Sequence, residues 1–140
     1  MQITRQADYA VRAVLFLARL GPDHRAATSM IAENQSIPPS FLAKIVSQLS
    51  VAGLLKTSRG ARGGVSLARP AEEISLLEVV EAIDGPILLN ECVANNGNCE
   101  FRDTCPMRPI WVETQAELVG RLQAATFDGL IDETPQTVVA

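Results

Sequence analysis

The stretch Leu54-Leu55-Lys56-Thr57-Ser58-Arg59-Gly60-Ala61-Arg62-Gly63-Gly64-Val65-Ser66-Leu67-Ala68 decides the fold. Residues 54–58 read as a strand, and residues 65–68 alternate like a strand returning beside it. Between them lies a basic, glycine-rich turn. Glycine lets a backbone approach phosphate closely or enter a minor groove, and the two arginines supply the charge that favours it. A nucleotide-binding phosphate loop is also rich in glycine, but it ends in Gly-Lys-Ser/Thr and leads into a helix. Here a strand follows the turn, and then Pro70.

Upstream of the hairpin, Leu42, Ile45, Val46 and Leu49 recur at helical spacing. They predict a helix from Pro39 or Ser40, with Gly53 marking its end. Asn34-Gln35-Ser36-Ile37-Pro38 reads as a turn. Thr28 is placed to cap a short helix before it, with Met30, Ile31 and Ala32 facing inward. Thr4 caps a longer first helix that runs to about Leu20 and stops at Gly21-Pro22. Ala10, Val14 and Leu17, with Val11 and Leu15 beside them, form its apolar stripe. Asp8 falls in the first or second turn, where a carboxylate interacts favourably with the helix dipole. Two short helices joined by a tight turn and followed by a hairpin make a winged helix-turn-helix.

Downstream, Ser75 and Glu78 have the spacing of a capping box. They open a helix through about Ile83, closed by Gly85-Pro86, whose Leu76, Val79, Val80 and Ile83 pack back onto the winged unit. From Ile87 to Thr104 no period is visible, and Asn90, Asn95, Asn96, Gly97 and Asn98 read as loop. A last long helix starts at Pro106 or Pro109. Trp111, Leu118 and Leu122 line its apolar side, which is expected to meet the same helix of a second chain. A homodimer suits recognition of a palindromic operator on double-stranded DNA. The fold class is therefore mainly α with a small β-hairpin wing: a winged helix-turn-helix plus a long C-terminal dimerisation helix. The expected division is a DNA-binding domain at 1–85, a cysteine-bearing loop at 86–105, the dimerisation helix at 106–130, and a disordered tail at 131–140.

Composition agrees once its asymmetry is seen. The chain has 140 residues, 47% of them hydrophobic and 20% charged, which suits a packed domain and not a disordered acidic chain. The net charge of −4 argues against a polyanionic partner. However, residues 1–69 hold nine basic and three acidic side chains, +6, whereas residues 70–140 hold three basic and thirteen acidic ones, −10. DNA would be drawn to the first half and repelled by the second. The opening residues lack the layout of a signal peptide. No apolar run approaches the roughly 18 residues needed to span a bilayer. The expected location is cytoplasmic, with no membrane partner.

Three cysteines in a reducing compartment do not suggest a disulfide framework. Cys92, Cys99 and Cys105 all lie in or at the edge of the polar loop, separated by six and then five residues. That is not a zinc-ribbon spacing, and the only histidine is the distant His24. Ferredoxin-type clusters want four thiolates. Three thiolates leave one iron position to another ligand, an incomplete site suited to sensing. Inert core cysteines would not all collect in a polar loop. A cluster-free thiol switch is the stronger alternative. No catalytic set or nucleotide fingerprint is present, so an enzyme is not expected. An iron–sulfur redox protein or an adaptor that no longer reads DNA are weaker readings, and the wing arginines speak against both.

Met1-Gln2-Ile3-Thr4, Asp8-Tyr9-Ala10-Val11, Ile37-Pro38-Pro39-Ser40-Phe41-Leu42, the wing Ser58–Val65 and Cys105-Pro106-Met107-Arg108 together resemble the Rrf-type family of winged-helix regulators. The resemblance runs from Met1 to about Leu130. It implies a homodimer with crossed C-terminal helices, and an iron–sulfur cluster in the loop whose state controls operator binding. The cluster would be 4Fe–4S ahead of 2Fe–2S, sensing nitric oxide or another small signalling molecule, redox state, or iron and cluster status. Ser40, Phe41, Ala43 and Lys44 would approach base edges or phosphates, and Arg59 would reach the minor groove, with Arg62 beside it at the wing tip. Gln48 joins them from its helical position. An N-cap is the alternative role for Ser40, and a core contact for Phe41. Cys92, Cys99 and Cys105 would ligate the cluster. One branch of the family has a histidine three residues after its third cysteine, where this chain has Arg108. Another branch uses an aspartate from the first helix of the second subunit, and Asp8 stands at the matching position.

Overall fold

A computed structural model describes residues 2–94 and 99–132. The first helix, α1 (Arg5–Leu20), begins where Thr4 caps it, accepting a hydrogen bond from the Ala7 N–H. It ends where Gly21 turns the chain with φ 91°. Its buried face is Ala7, Ala10, Ala13, Val14, Leu17 and Ala18. The alanines are small enough for other helices to approach closely, and α1 is the axle of the fold.

The next two helices are α2 (Thr28–Gln35) and α3 (Pro39–Val51). The sequence predicts Thr28 as the cap of α2, and the structure differs. Thr28 is the first helical residue, and Ala27 occupies the cap position with no side-chain hydrogen bond. The backbone of Ala26 explains this one-residue shift, because it is committed to pairing with the hairpin. Met30 is exposed and not inward, whereas Ile31 and Ala32 are buried. The turn between the helices is made by Ser36 in the left-handed region, φ 53°. Leu42, Ile45, Val46 and Leu49 are the buried face of α3, as their spacing predicts.

The hairpin consists of β1 (Leu55–Ser58) and β2 (Gly64–Leu67), antiparallel, pairing Leu55 with Leu67 and Ser58 with Gly64. A third segment joins it. Ala26 exchanges two backbone hydrogen bonds with Val65, at 3.0 and 2.8 Å, and so ties the α1–α2 loop to the wing. Gly64 is dictated by this approach, since a Cβ there would lie 2.7 Å from the Ala26 carbonyl oxygen.

A capping box formed by Ser75 and Glu78 opens α4 (Leu76–Asp84), which packs on α1. Leu77, Val79 and Val80 are its buried residues, while Leu76 and Ile83 are half-buried. The stretch 106–130, expected as one helix, is two. The helix α5 (Arg108–Ala124) stops short, and Ala125–Thr126 is extended beside residues 74–76. The Leu76 N–H donates to the Ala125 carbonyl at 2.8 Å, and the Phe127 N–H to that of Ile74 at 3.1 Å. The short helix α6 (Phe127–Asp132) then returns Phe127, fully buried, to the main core. Ile131 and Asp132, placed by the sequence in a disordered tail, belong to α6, and the rest of that tail lies outside the described residues. No helix among the described residues is long and apolar enough to cross a membrane.

Candidate nucleic-acid interface and cysteine cleft

Because the apolar positions of α3 face the core, its other side faces solvent. Ser40, Phe41, Ala43 and Lys44 are exposed there, and Ser47, which the sequence reading missed, continues the face at helical spacing. Ser40 is not an N-cap. Pro38 holds that position, and Ser40 lies inside the first turn with its side chain exposed. Phe41 lies on the surface beside Tyr9. It is 44% exposed, yet its ring meets that of Tyr9 edge-on, with centroids 6.3 Å apart. Gln48 turns partly away from the face: it is half-buried, and its Oε1 is sequestered from solvent without a hydrogen-bond partner.

The wing tip, residues 59–63, presents Arg59 and Arg62, both exposed. Its shape is fixed locally. Gly60 has φ 99°, the Gly63 N–H donates to the Gly60 carbonyl at 2.9 Å, and a Cβ on Gly63 would lie 2.3 Å from the Ser58 carbonyl oxygen. The Arg25 guanidinium donates to the Arg62 carbonyl at 3.3 Å, from the loop already paired to β2. Thus the exposed face of α3 carries Ser40, Lys44 and Ser47 beside the apolar Phe41 and Ala43, and the tip of the wing is basic, with the packed core behind both. Lys56 on β1 adds a further exposed cation. Arg69 does not, since Glu78 engages it at 2.8 Å.

The cysteine segment is organised by α5. The Gln115 side chain clamps its entry, accepting from the Leu89 N–H at 2.9 Å and donating to the Ile87 carbonyl. A 3₁₀ turn at Glu91–Val93 carries Cys92, whose carbonyl accepts from Arg108 Nε at 3.3 Å. The chain then returns through Cys99, exposed, and Cys105, half-buried, into the start of α5. All three cysteines line one cleft of about 610 Å³, together with Glu91, Phe101, Arg108 and Trp111. Neither Gln115 nor the clamp it makes carries a sequence signal, because an isolated glutamine on a helix says nothing of a loop 26 residues earlier.

Three thiols opening onto one cleft are a donor set for a thiolate cluster, in which separate irons take separate sulfurs. Among the described residues, no three His, Cys, Asp or Glu side chains form a group that could grip a single metal ion. Asp8 does not line this cleft within its own chain. It sits in the first turn of α1, 52% exposed, paired with Arg12 one turn on at 3.1 Å.

In the cleft wall, Phe101, Met107 and Trp111 leave large apolar side chains exposed, and Ile110 and Val112 do so beside it. The other end of α5 is different. Leu118 and Leu122, expected to face a second chain, pack with Val119 against Leu77, Val80 and Ile87 of their own chain. Along α5 and the loop leading into it, the exposed large apolar side chains therefore lie in the first turns of the helix and in that loop.

Residues 3–133 match the Rrf2 family, described as an iron-dependent transcriptional regulator. The chain is 34% identical to Protein aau3 of Rhizobium meliloti strain 1021 over 137 residues, which are 97% of this chain and 88% of that protein. It is also 34% identical to the HTH-type transcriptional regulator NsrR of Geobacillus kaustophilus over 134 residues, 95% of this chain and 91% of the relative. Among solved structures it is similar to CymR (YrzC), the global cysteine regulator of B. subtilis, with TM-score 0.81, 24% identity, and 96% and 99% of the two chains covered. At that identity the likeness bears on fold alone, and it agrees with a winged helix-turn-helix.

Proposed function

We propose, from the premise that this chain belongs to the Rrf2 family of transcriptional regulators, that it is a cytoplasmic homodimer whose operator binding is governed by an iron–sulfur cluster held by Cys92, Cys99 and Cys105. The relatives in this family are regulators and not enzymes. The observation that carries the cluster reading is the convergence of all three cysteines on one cleft at the start of α5, next to its exposed apolar residues.

DNA affinity would come from the basic wing and the exposed face of α3. Ser40, Phe41, Ala43 and Lys44 meet base edges or phosphates, with Gln48 at the margin, and Arg59 and Arg62 meet the minor groove and its phosphates. The pseudo-palindromic operator follows from two-fold symmetry. The second chain covers Ile110, Trp111 and Val112, since large exposed apolar patches mark interaction sites. When bound, a 4Fe–4S cluster, ahead of a 2Fe–2S one, supplies an iron that a small signalling molecule such as nitric oxide, a redox change or iron shortage can reach. The residues of this chain do the rest. The three thiolates fix the loop; Arg108 holds the Cys92 backbone and adds a positive charge beside the thiolates; Gln115 joins the loop entry to α5. Asp8 of the partner subunit completes the ligand set, which makes ligand geometry depend on dimer geometry.

Purification without oxygen, followed by the visible spectrum and iron and sulfide content, tests this reading on wild type, Cys99→Ser and Asp8→Ala. A brown wild type, a colourless Cys99→Ser and a shifted spectrum in Asp8→Ala support it. A colourless, iron-free wild type overturns the cluster reading. It would favour a thiol switch, which the exposed Cys99 and the half-buried Cys92 and Cys105 in the same cleft also permit.

A further inference from the structure

We infer that Arg25, outside both the helix-turn-helix and the hairpin, is a third arginine of the wing: it sets the tip conformation and contacts a DNA phosphate. This rests on the DNA-binding reading above. Three observations carry it. First, the segment bearing Arg25 is part of the wing sheet, because its neighbour Ala26 is bonded on both sides to Val65. That pairing anchors the Arg25 backbone to β2, so the side chain starts from a fixed position relative to the tip. Second, one guanidinium N–H of Arg25 is spent on the Arg62 carbonyl, at 3.3 Å across the tip. Guanidinium has five N–H donors, so most remain for another acceptor. Third, Arg25 is exposed, and the ion pairs of Arg12 with Asp8 and of Arg69 with Glu78 do not involve it.

The chemistry that would satisfy the remaining donors is an oxyanion approached in the plane of the fork, as a phosphodiester is. Arg59 and Arg62 are exposed on the same tip, so the three charges act on one stretch of backbone. The only acid in the preceding turn is Asp23, also exposed. A phosphate contact positions the protein without reading sequence. Arg25 would therefore contribute equally to specific and nonspecific binding, and it would place Arg59 over the groove by holding the tip.

The test uses the full-length protein and a labelled duplex obtained by in vitro selection against wild type, beside a scrambled duplex of the same composition. Affinity is measured across a salt series for wild type, Arg25→Gln, Arg25→Lys and Arg59→Ala. Gln keeps a polar amide but loses the charge; Lys keeps the charge. The expected result is that Arg25→Gln weakens binding about tenfold on both duplexes and lowers the salt slope by roughly one per protomer. Arg25→Lys should keep the slope. An unchanged slope in Arg25→Gln overturns the phosphate contact, even if affinity falls, because a purely structural role moves no counterions. A wild type that selects no duplex overturns the DNA-binding reading itself, and this assignment with it.

Discussion

Thr4 and Asp84 are joined twice: the Asp84 carboxylate accepts from the Thr4 hydroxyl at 2.5 Å and from the Thr4 N–H at 3.2 Å. The same hydroxyl oxygen caps α1 by accepting from the Ala7 N–H. One side chain at the end of α4 thus fixes the start of the helix that carries Asp8. Three residues beyond Asp84, the Ile87 carbonyl is held by Gln115 of α5. The beginning of α1 and the entry to the cysteine segment are therefore anchored to neighbouring points of the chain.

Asp84→Ala removes both bonds and leaves the Thr4 cap unsupported. It should destabilise the fold by about 1 kcal/mol, the usual worth of such hydrogen bonds near solvent. Urea unfolding checks this, with a lowered midpoint at unchanged slope as the expected result. An unchanged midpoint would mean that water replaces the carboxylate without loss.

Gly63→Ala should distort the wing tip, because the new Cβ would meet the Ser58 carbonyl at 2.3 Å and this backbone oxygen cannot swing away as a side chain could. A cost of about 2 kcal/mol in stability is expected, with loss of operator affinity beyond what Arg59→Ala alone produces. Thermal unfolding and DNA titration on the same variant check both halves.

Phe127→Ala removes a fully buried ring from the main core and should cost about 3–5 kcal/mol. It tests whether α6 is part of the folding unit. A variant with near wild-type stability would show that the chain beyond α5 is dispensable.

Acid should weaken the junction between the hairpin and α4. Burial alone would raise the pKa of Glu78, but hydrogen bonds from Arg69 and the Ser75 N–H, with the nearby Arg69 charge, outweigh it and hold the carboxyl below its ordinary 4.5. A depressed folded-state value means that the stabilisation is complete above 4.5 and is lost as pH falls through the lower folded value. Both side chains are partly exposed, so the effect is small. Glu78→Gln should flatten the acid limb of a plot of urea midpoint against pH. An acid limb identical to that of wild type would show that the pair contributes nothing.

The elements legible in the sequence are those with a strong period or a local code. The stripe Leu42, Ile45, Val46, Leu49, the capping box of Ser75 and Glu78, and the hairpin around Gly60 to Gly64 each need only a few neighbouring residues to be read. Thr28 is not legible as a helical residue because the pairing of Ala26 with Val65, a contact 39 residues apart in sequence, sets where α2 begins. The break at Ala125–Thr126 was hidden for the same reason, since neither residue breaks helices and only the edge at 74–76 draws them out. In the candidate site the cysteines were visible by type and spacing. Their convergence, and the roles of Gln115 and Arg25, depend on tertiary hydrogen bonds that no local pattern encodes.

The most direct measurement takes one oxygen-free preparation, splits it, removes iron and sulfide from half, and titrates both halves with the selected duplex at one salt concentration. The two halves should differ in affinity by at least about tenfold, the range of ordinary allosteric coupling, and Cys99→Ser should behave like the stripped half whatever its treatment. Equal affinity in the two halves, with a cluster demonstrably present in one, would contradict the claim that the cysteine cleft controls the DNA-binding face.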